Sequence, residues 1–222
     1  MRKVIAARMT EAKRSIPHFR ILAEVEIDAL LLMQEKLRER MAPEPLSLND
    51  LLIKACATAL IENPAVNVQW VENEIRQFRA ADLSVVIALE DGLATPIIRG
   101  AESKSIWEIS REMRNLSSRA ARNVLKMDEI IGGSFCLSNL GMYDVDQFDA
   151  IINAPQCAIL AVGAGKRRVL VSNEQGFRIA TVLRFTLSVD HRAIDGVTAA
   201  KFMSALKQRL ETPEQMQLER TT

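Results

Sequence analysis

Apolar positions along this chain recur in two rhythms. From Asp28 to Met41, Leu30, Met33, Leu37 and Met41 return at steps of three and four with charged residues between them, the period of a helix with one buried face. The same rhythm carries Leu52, Ala55 and Ala59 through residues 49–62, with Asn49 placed to cap the helix and Asn63-Pro64 to stop it. A third helix starts at Ser105, because Ser105 and Glu108 have capping-box spacing and Ile106, Ile109, Met113 and Leu116 form an apolar face. A fourth follows Asp195 and carries Ala199, Phe202 or Met203, Leu206 and Leu210.

Between the helices the period falls to two. Residues 82–89 alternate Leu83, Val85, Ile87 and Leu89 against smaller neighbours, and 134–138, 156–162, 169–171 and 177–189 also read as strands. The runs SVVIAL and AILAV are apolar on both faces, as in the interior of a covered sheet. The pattern predicts an α/β fold, a mixed sheet flanked by helices. With no repeat, low-complexity tract or flexible linker, residues 1–222 are expected to form a single domain.

Composition narrows the partners more than the chemistry. The balance of 29 basic and 28 acidic residues leaves a net charge of +1, which gives no reason to expect a nucleic acid or an anionic membrane as partner. The apolar runs are too short to span a bilayer. Cys56, Cys136 and Cys157 are odd in number and widely spaced, so they are expected to be buried, reduced thiols and neither a metal nor a redox pair. The basic, mildly amphipathic opening is expected to belong to the folded domain and not to a transit peptide.

Only two histidines are available as a neutral-pH base, His18 in SIPHF and His191 in SVDHRAIDG. His191 falls between a long strand and a helix, where sites in α/β proteins gather. Asp195, four residues on, is placed to cap that helix, and Gly196 permits a close backbone approach. On spacing alone, an ordinary histidine in a capped turn is the favoured reading. A serine such as Ser138, before Asn139 and Gly141, reads by itself as a turn residue.

The wider context resolves this. HRAIDG resembles the HxxxDG signature of CoA-dependent acyltransferases, and SVDHRAIDGVTAAKFM, GGSFCLSNLGMYDVDQFDAIINAPQCAILAVGAG, SLNDLLIKACATALIENPAVNVQW, DLSVVIALEDGLATPIIRGAESKSIWEIS and RKVIAARMTEAKRSIPHF resemble successive blocks of the dihydrolipoamide acyltransferases of 2-oxo acid dehydrogenase complexes. The resemblance implies a chloramphenicol acetyltransferase-like fold. It implies an acyl group, acetyl or branched-chain, moved between a dihydrolipoyl thiol and coenzyme A without a metal. It places the catalytic base at His191, an oxyanion-side hydroxyl at Ser138 and a shape-holding aspartate at Asp195, with Arg8 as that aspartate's partner if it is buried. His18 stays open between a channel and a structural role.

The resemblance also implies partners. A homotrimer is expected, with the histidine of one subunit facing the serine of its neighbour and a larger assembly possible. A lipoyl domain and partner dehydrogenase subunits would complete the complex, in the cytoplasm or the mitochondrial matrix. No lipoyl or peripheral-subunit-binding segment is recognisable in the chain, so the lipoyl group is expected from another domain or chain. The polar end QRLETPEQMQLERTT leaves only Met216 and Leu218 as anchors for docking onto a neighbouring trimer, which favours a trimer over a large shell. Two other readings stay open: a CoA acyltransferase with another acceptor, and a non-catalytic scaffold core.

Overall fold

One long strand organises the molecule. The computed structural model describes residues 2–41, 44–90, 92–172, 176–216 and 218. In chain order its elements are α1 (Arg2–Ser15), β1 (His18–Glu26), α2 (Asp28–Met41), α3 (Leu48–Glu62), β2 (Val68–Val71), β3 (Glu74–Gln77), β4 (Leu83–Val85), β5 (Ile87–Leu89), β6 (Gly92–Ala94), β7 (Ile97–Ile98), α4 (Ile106–Ala121), β8 (Phe135–Asn139), β9 (Ala158–Val162), β10 (Lys166–Ser172), β11 (Gly176–Asp190) and α5 (Gly196–Glu211). The main sheet runs β1-β11-β9-β8-β4-β7, and β10 pairs with the first half of β11. β4, β8 and β9 are parallel and the other pairs antiparallel, so the sheet is mixed, as expected.

The two faces are covered differently. α2, α3, α4 and α5 bury one face in a large core built on Leu30, Leu52, Ile109, Phe135, Leu137, Leu160, Phe185 and Phe202. α3 lies at its centre and is buried nearly all round, which explains why its polar positions are so few. The other face meets α1 and the loop after Tyr143 in a smaller cluster of Ala12, Ile16, Cys136, Ile152 and Ile159. All three cysteines are free and buried, as expected.

Several sequence expectations need correction. α3 is capped by Ser47 and not by Asn49: the Ser47 hydroxyl accepts from the Asp50 N–H, and the Asp50 carboxylate accepts from the Ser47 N–H at 2.8 Å. The strand expected over 82–89 breaks after Val85. Val85 donates to the carbonyl of Pro96, but proline has no N–H to return, so the ladder stops and β5 leaves to pair with β6. α1 and β1 are elements that the helical and alternating rhythms leave unassigned, as is the β2–β3 hairpin. Met216 and Leu218 do not project as docking anchors. Met216 is buried in the main core, and Leu218 packs against it while its carbonyl accepts from the Ile106 N–H at 2.8 Å.

Candidate active site

The His191 turn is built by the end of β11. Asp190 closes the strand opposite His18 of β1, and the N–H groups of Ala193 and Ile194 both donate to the Asp190 carbonyl at 3.0 Å, which folds the chain back at once. Ile194 is buried and anchors the turn. Asp195 then caps α5 as its sequence position predicts: Oδ1 accepts from the Thr198 N–H at 2.7 Å, and this bond holds its carboxyl below the usual carboxylate range.

His191 itself is exposed. Its backbone N–H donates to the Pro17 carbonyl at 3.0 Å, and its ring sits 5.2 Å from the ring of Phe19, tilted by 59°. Among the described residues its imidazole makes no hydrogen bond, so both ring nitrogens are uncommitted within the chain. His18 is the opposite case. Its Nε2 accepts from the Ile152 N–H at 3.1 Å, which leaves the proton on Nδ1 to donate to the Ile16 carbonyl at 2.9 Å. Both nitrogens of His18 are thereby occupied within the chain.

Ser138 lies one residue from the end of β8 and is 8% exposed. The turn after it is held by Asn139, whose Oδ1 accepts from the Gly141 N–H at 2.8 Å. Gly141 is required by close approach, since a Cβ there would stand 2.8 Å from the Gly163 carbonyl oxygen. Ser138 pairs in register with Ala161 of β9, and Ala161 with Thr186 of β11. His191 therefore lies five residues further along β11 than the level of Ser138. The structure brings His191 and Asp195 together on one turn and leaves Ser138 at the other end of the sheet.

Arg8 does not meet Asp195. Its Nη2 points to the Ala154 carbonyl at 3.4 Å, while Asp195 is exposed and its carboxylate is spent on the cap. The condition for an ion pair, a buried carboxylate, is absent at Asp195 and present at Asp190, which is 1% exposed and bonded to Arg192. Sequence reasoning missed that pair. The signal was available, because Asp190 and Arg192 alternate about His191 and so face the same way as they leave the strand. Among the described residues no cluster of His, Cys, Asp or Glu is placed to hold a metal, and no helix is long and apolar enough to cross a membrane.

Comparison with known proteins gives this geometry a family. Residues 1–218 match the model of the 2-oxoacid dehydrogenases acyltransferase catalytic domain. The chain belongs to that family. It is 43% identical over 219 residues to the dihydrolipoyllysine-residue acetyltransferase component of pyruvate dehydrogenase complex of Rickettsia felis, covering 97% of this chain and 53% of that protein. The Zymomonas mobilis counterpart is 46% identical over 215 residues, covering 96% and 49%. The chain thus spans about half the length of these relatives. Among solved structures, a probable dihydrolipoamide acetyltransferase from Listeria monocytogenes superposes with a TM-score of 0.90 at 32% identity, covering 95% of this chain and 91% of that one. The cubic core of a pyruvate dehydrogenase multienzyme complex and the Azotobacter vinelandii dihydrolipoamide acetyltransferase each give 0.91, at 27% and 26% identity, with 97% and 90% covered. Chloramphenicol acetyltransferase, at 0.58 and 15% identity over 92% and 94%, shares the fold.

Proposed function

We propose that this domain moves an acyl group, acetyl in the first instance, between a dihydrolipoyl thiol and the thiol of coenzyme A. The observation that carries the reading is the uncommitted imidazole of His191, exposed on the turn after β11 in a chain whose first 218 residues match the acyltransferase family. Thiols near pH 7 are mostly protonated and attack poorly. His191 takes the thiol proton as sulfur attacks the thioester carbonyl, and general-base help of this kind is worth ~10²–10⁴-fold. The carbonyl oxygen becomes a tetrahedral oxyanion, to which the Ser138 hydroxyl of a second copy donates, worth ~10²–10³-fold. The tetrahedral centre then collapses, the other carbon–sulfur bond breaks, and His191 returns the proton to the departing thiolate. Asp195 holds the turn and carries no proton. The Azotobacter vinelandii enzyme supports these assignments, since a serine, a histidine and an asparagine four positions beyond it are studied there for their role in the catalytic mechanism. Asp195 stands four positions beyond His191.

Acetyl is favoured because the relatives are acetyltransferase components. By the same resemblance the working unit is a homotrimer or a larger assembly of trimers, served by lipoyl domains and dehydrogenase partners. The test is release of CoA from acetyl-CoA with dihydrolipoamide as acceptor, wild type against His191→Ala. A fall of orders of magnitude supports the reading. An assembled wild-type protein inert toward acetyl-, succinyl- and branched acyl-CoA favours a scaffold or another acceptor.

A further inference from the structure

His191 is held by the residues on either side of it. The Asp190 N–H donates to the Cys157 carbonyl at 2.8 Å, and its carboxylate is almost wholly removed from water. A carboxylate buried to that extent needs a fixed cation. Arg192 supplies one. Its backbone N–H and Nε each donate to Oδ1 at 3.0 Å, and Nη2 donates to Oδ2 at 2.7 Å. This fork engages one edge of the guanidinium and leaves its flat face to be covered. The face lies over the indole of Trp70, with Cζ 4.9 Å from the ring centroid. Trp70 is itself tied down. Its backbone N–H donates to the Pro155 carbonyl at 2.9 Å, and the Cys157 backbone N–H donates to the Val68 carbonyl of the same strand at 3.2 Å. The backbones of Trp70 and Asp190 are thus both moored to residues 155–157, the entry to β9.

We infer that Trp70 is a positioning residue for His191, acting through Arg192; the inference rests on the reading of His191 as the base. The indole keeps the guanidinium against Asp190, and that pair brackets His191 in the chain. It sets where the His191 backbone leaves the sheet, and it keeps the neighbouring carboxylate compensated. The titratable and charged groups around His191 are Asp190 and Arg192 on its own turn, Asp195 at the start of α5, His18 on β1 and Cys157 before β9. Arg192 is the permanent cation among them.

The experiment measures kcat/KM against pH for acetyl-CoA and dihydrolipoamide with the assembled protein, in wild type, Trp70→Leu and Trp70→Phe. Without the indole the guanidinium loses the packing over its face and its hold on Asp190 is loosened, and the less compensated carboxylate favours the imidazolium form of its neighbour. The acidic limb of the profile therefore moves to higher pH in Trp70→Leu. Activity at neutral pH falls on the order of tenfold to a hundredfold, the scale expected when a reacting group is displaced. A loss of folded protein lowers the whole profile and leaves its limb in place, so the limb separates positioning from stability. Trp70→Phe keeps an aromatic face and restores the limb. Should Trp70→Leu fail to assemble, Arg192→Gln at its exposed position removes the cation directly and is expected to move the same limb upward. An unmoved limb in whichever of these two variants assembles overturns the inference. Retained activity in His191→Ala overturns instead the reading beneath it, so the two failures are distinguishable.

Discussion

Ser138 and His191 of one chain lie too far apart to act on the same thioester. Ser138 is level with Thr186, and the five residues from there to His191 span about 17 Å along an extended strand, before two strand spacings of roughly 5 Å are added. The proposed site therefore takes its base from one copy and its oxyanion donor from the next. Ser138→Ala and His191→Ala chains, each nearly inactive alone, are expected to recover activity when refolded together in equal amounts. In a cyclic oligomer, random assembly unites an intact His191 with an intact Ser138 at about one interface in four. Recovery to about a quarter of the wild-type rate is the expected outcome. Mixed oligomers verified by mass spectrometry that stay inactive would exclude a site shared between copies.

Asp195 is expected to act as a helix cap. Its bond to the Thr198 N–H lowers its pKa in the folded state, so the stability it contributes is present above the ordinary carboxylate range and lost as pH falls through the folded value. Asp195→Ala is predicted to lower the Tm by a few degrees at pH 7, and the gap should close on acidification. Asp195→Asn caps as well as aspartate does, so its Tm at pH 7 stays near wild type and most activity survives. Calorimetry at pH 7 and pH 3 checks the first part and the acyl-transfer assay the second. An Asn variant as inactive as His191→Ala would give Asp195 a proton-handling role.

Much of the fold was legible because its signals are local. The α4 face of Ile106, Ile109, Met113 and Leu116 is buried as its period requires, and Ser105 caps the helix with Glu108. The failures have physical causes. Val85 looks like mid-strand until Pro96 is known to be its neighbour, and no local pattern reveals that pairing. The β1 segment HFRILAEVE alternates only half-buried and exposed positions until Val25, so its hydrophobic contrast is weak. At the proposed site, His191 and Asp195 are picked out by a contiguous motif. The Asp190–Arg192–Trp70 contact joins residues more than a hundred positions apart and emerges only once β2 is seen to pair with the entry to β9.

Buried titratable groups set the response to alkali. Desolvation pushes the Cys136 and Cys157 thiols up to about 12 and Cys56 higher still. A raised folded pKa gives stability that is complete below the ordinary thiol range, near ~8.5, and is lost as pH rises. Lys54 works in the opposite direction. It is fully buried, its Nζ donates to the carbonyls of Glu102 and Lys104 at 2.7 Å each, and burial lowers its pKa. Its unfolded form binds the proton more tightly, so its contribution to stability rises with pH up to the ordinary lysine value. Three thiols outweigh one amine, and the urea midpoint is predicted to fall above about pH 8.5. In Lys54→Met the opposing rise is gone and two carbonyls lose a donor. The variant should already be less stable at pH 7.5, and its gap to wild type should widen toward pH 10.5. A gap that stays constant with pH would mean that Lys54 keeps an ordinary affinity for its proton.

Met216 distinguishes a tail that serves its own subunit from one that serves a neighbour. Its side chain is 5% exposed within the main core, and two residues later the Leu218 carbonyl takes the N–H of Ile106, one of the first-turn donors that α4 cannot satisfy internally. Met216 thus closes the core, and the Leu218 carbonyl completes the start of a helix, within one copy. Truncating a buried methionine leaves a cavity, and Met216→Ala is predicted to cost about 2–3 kcal/mol in denaturant unfolding. The oligomer measured by sedimentation should keep its size, because the contact that is lost is internal. An anchor between trimers would give the reverse result, with unfolding of the isolated trimer unchanged and any larger assembly dissociating.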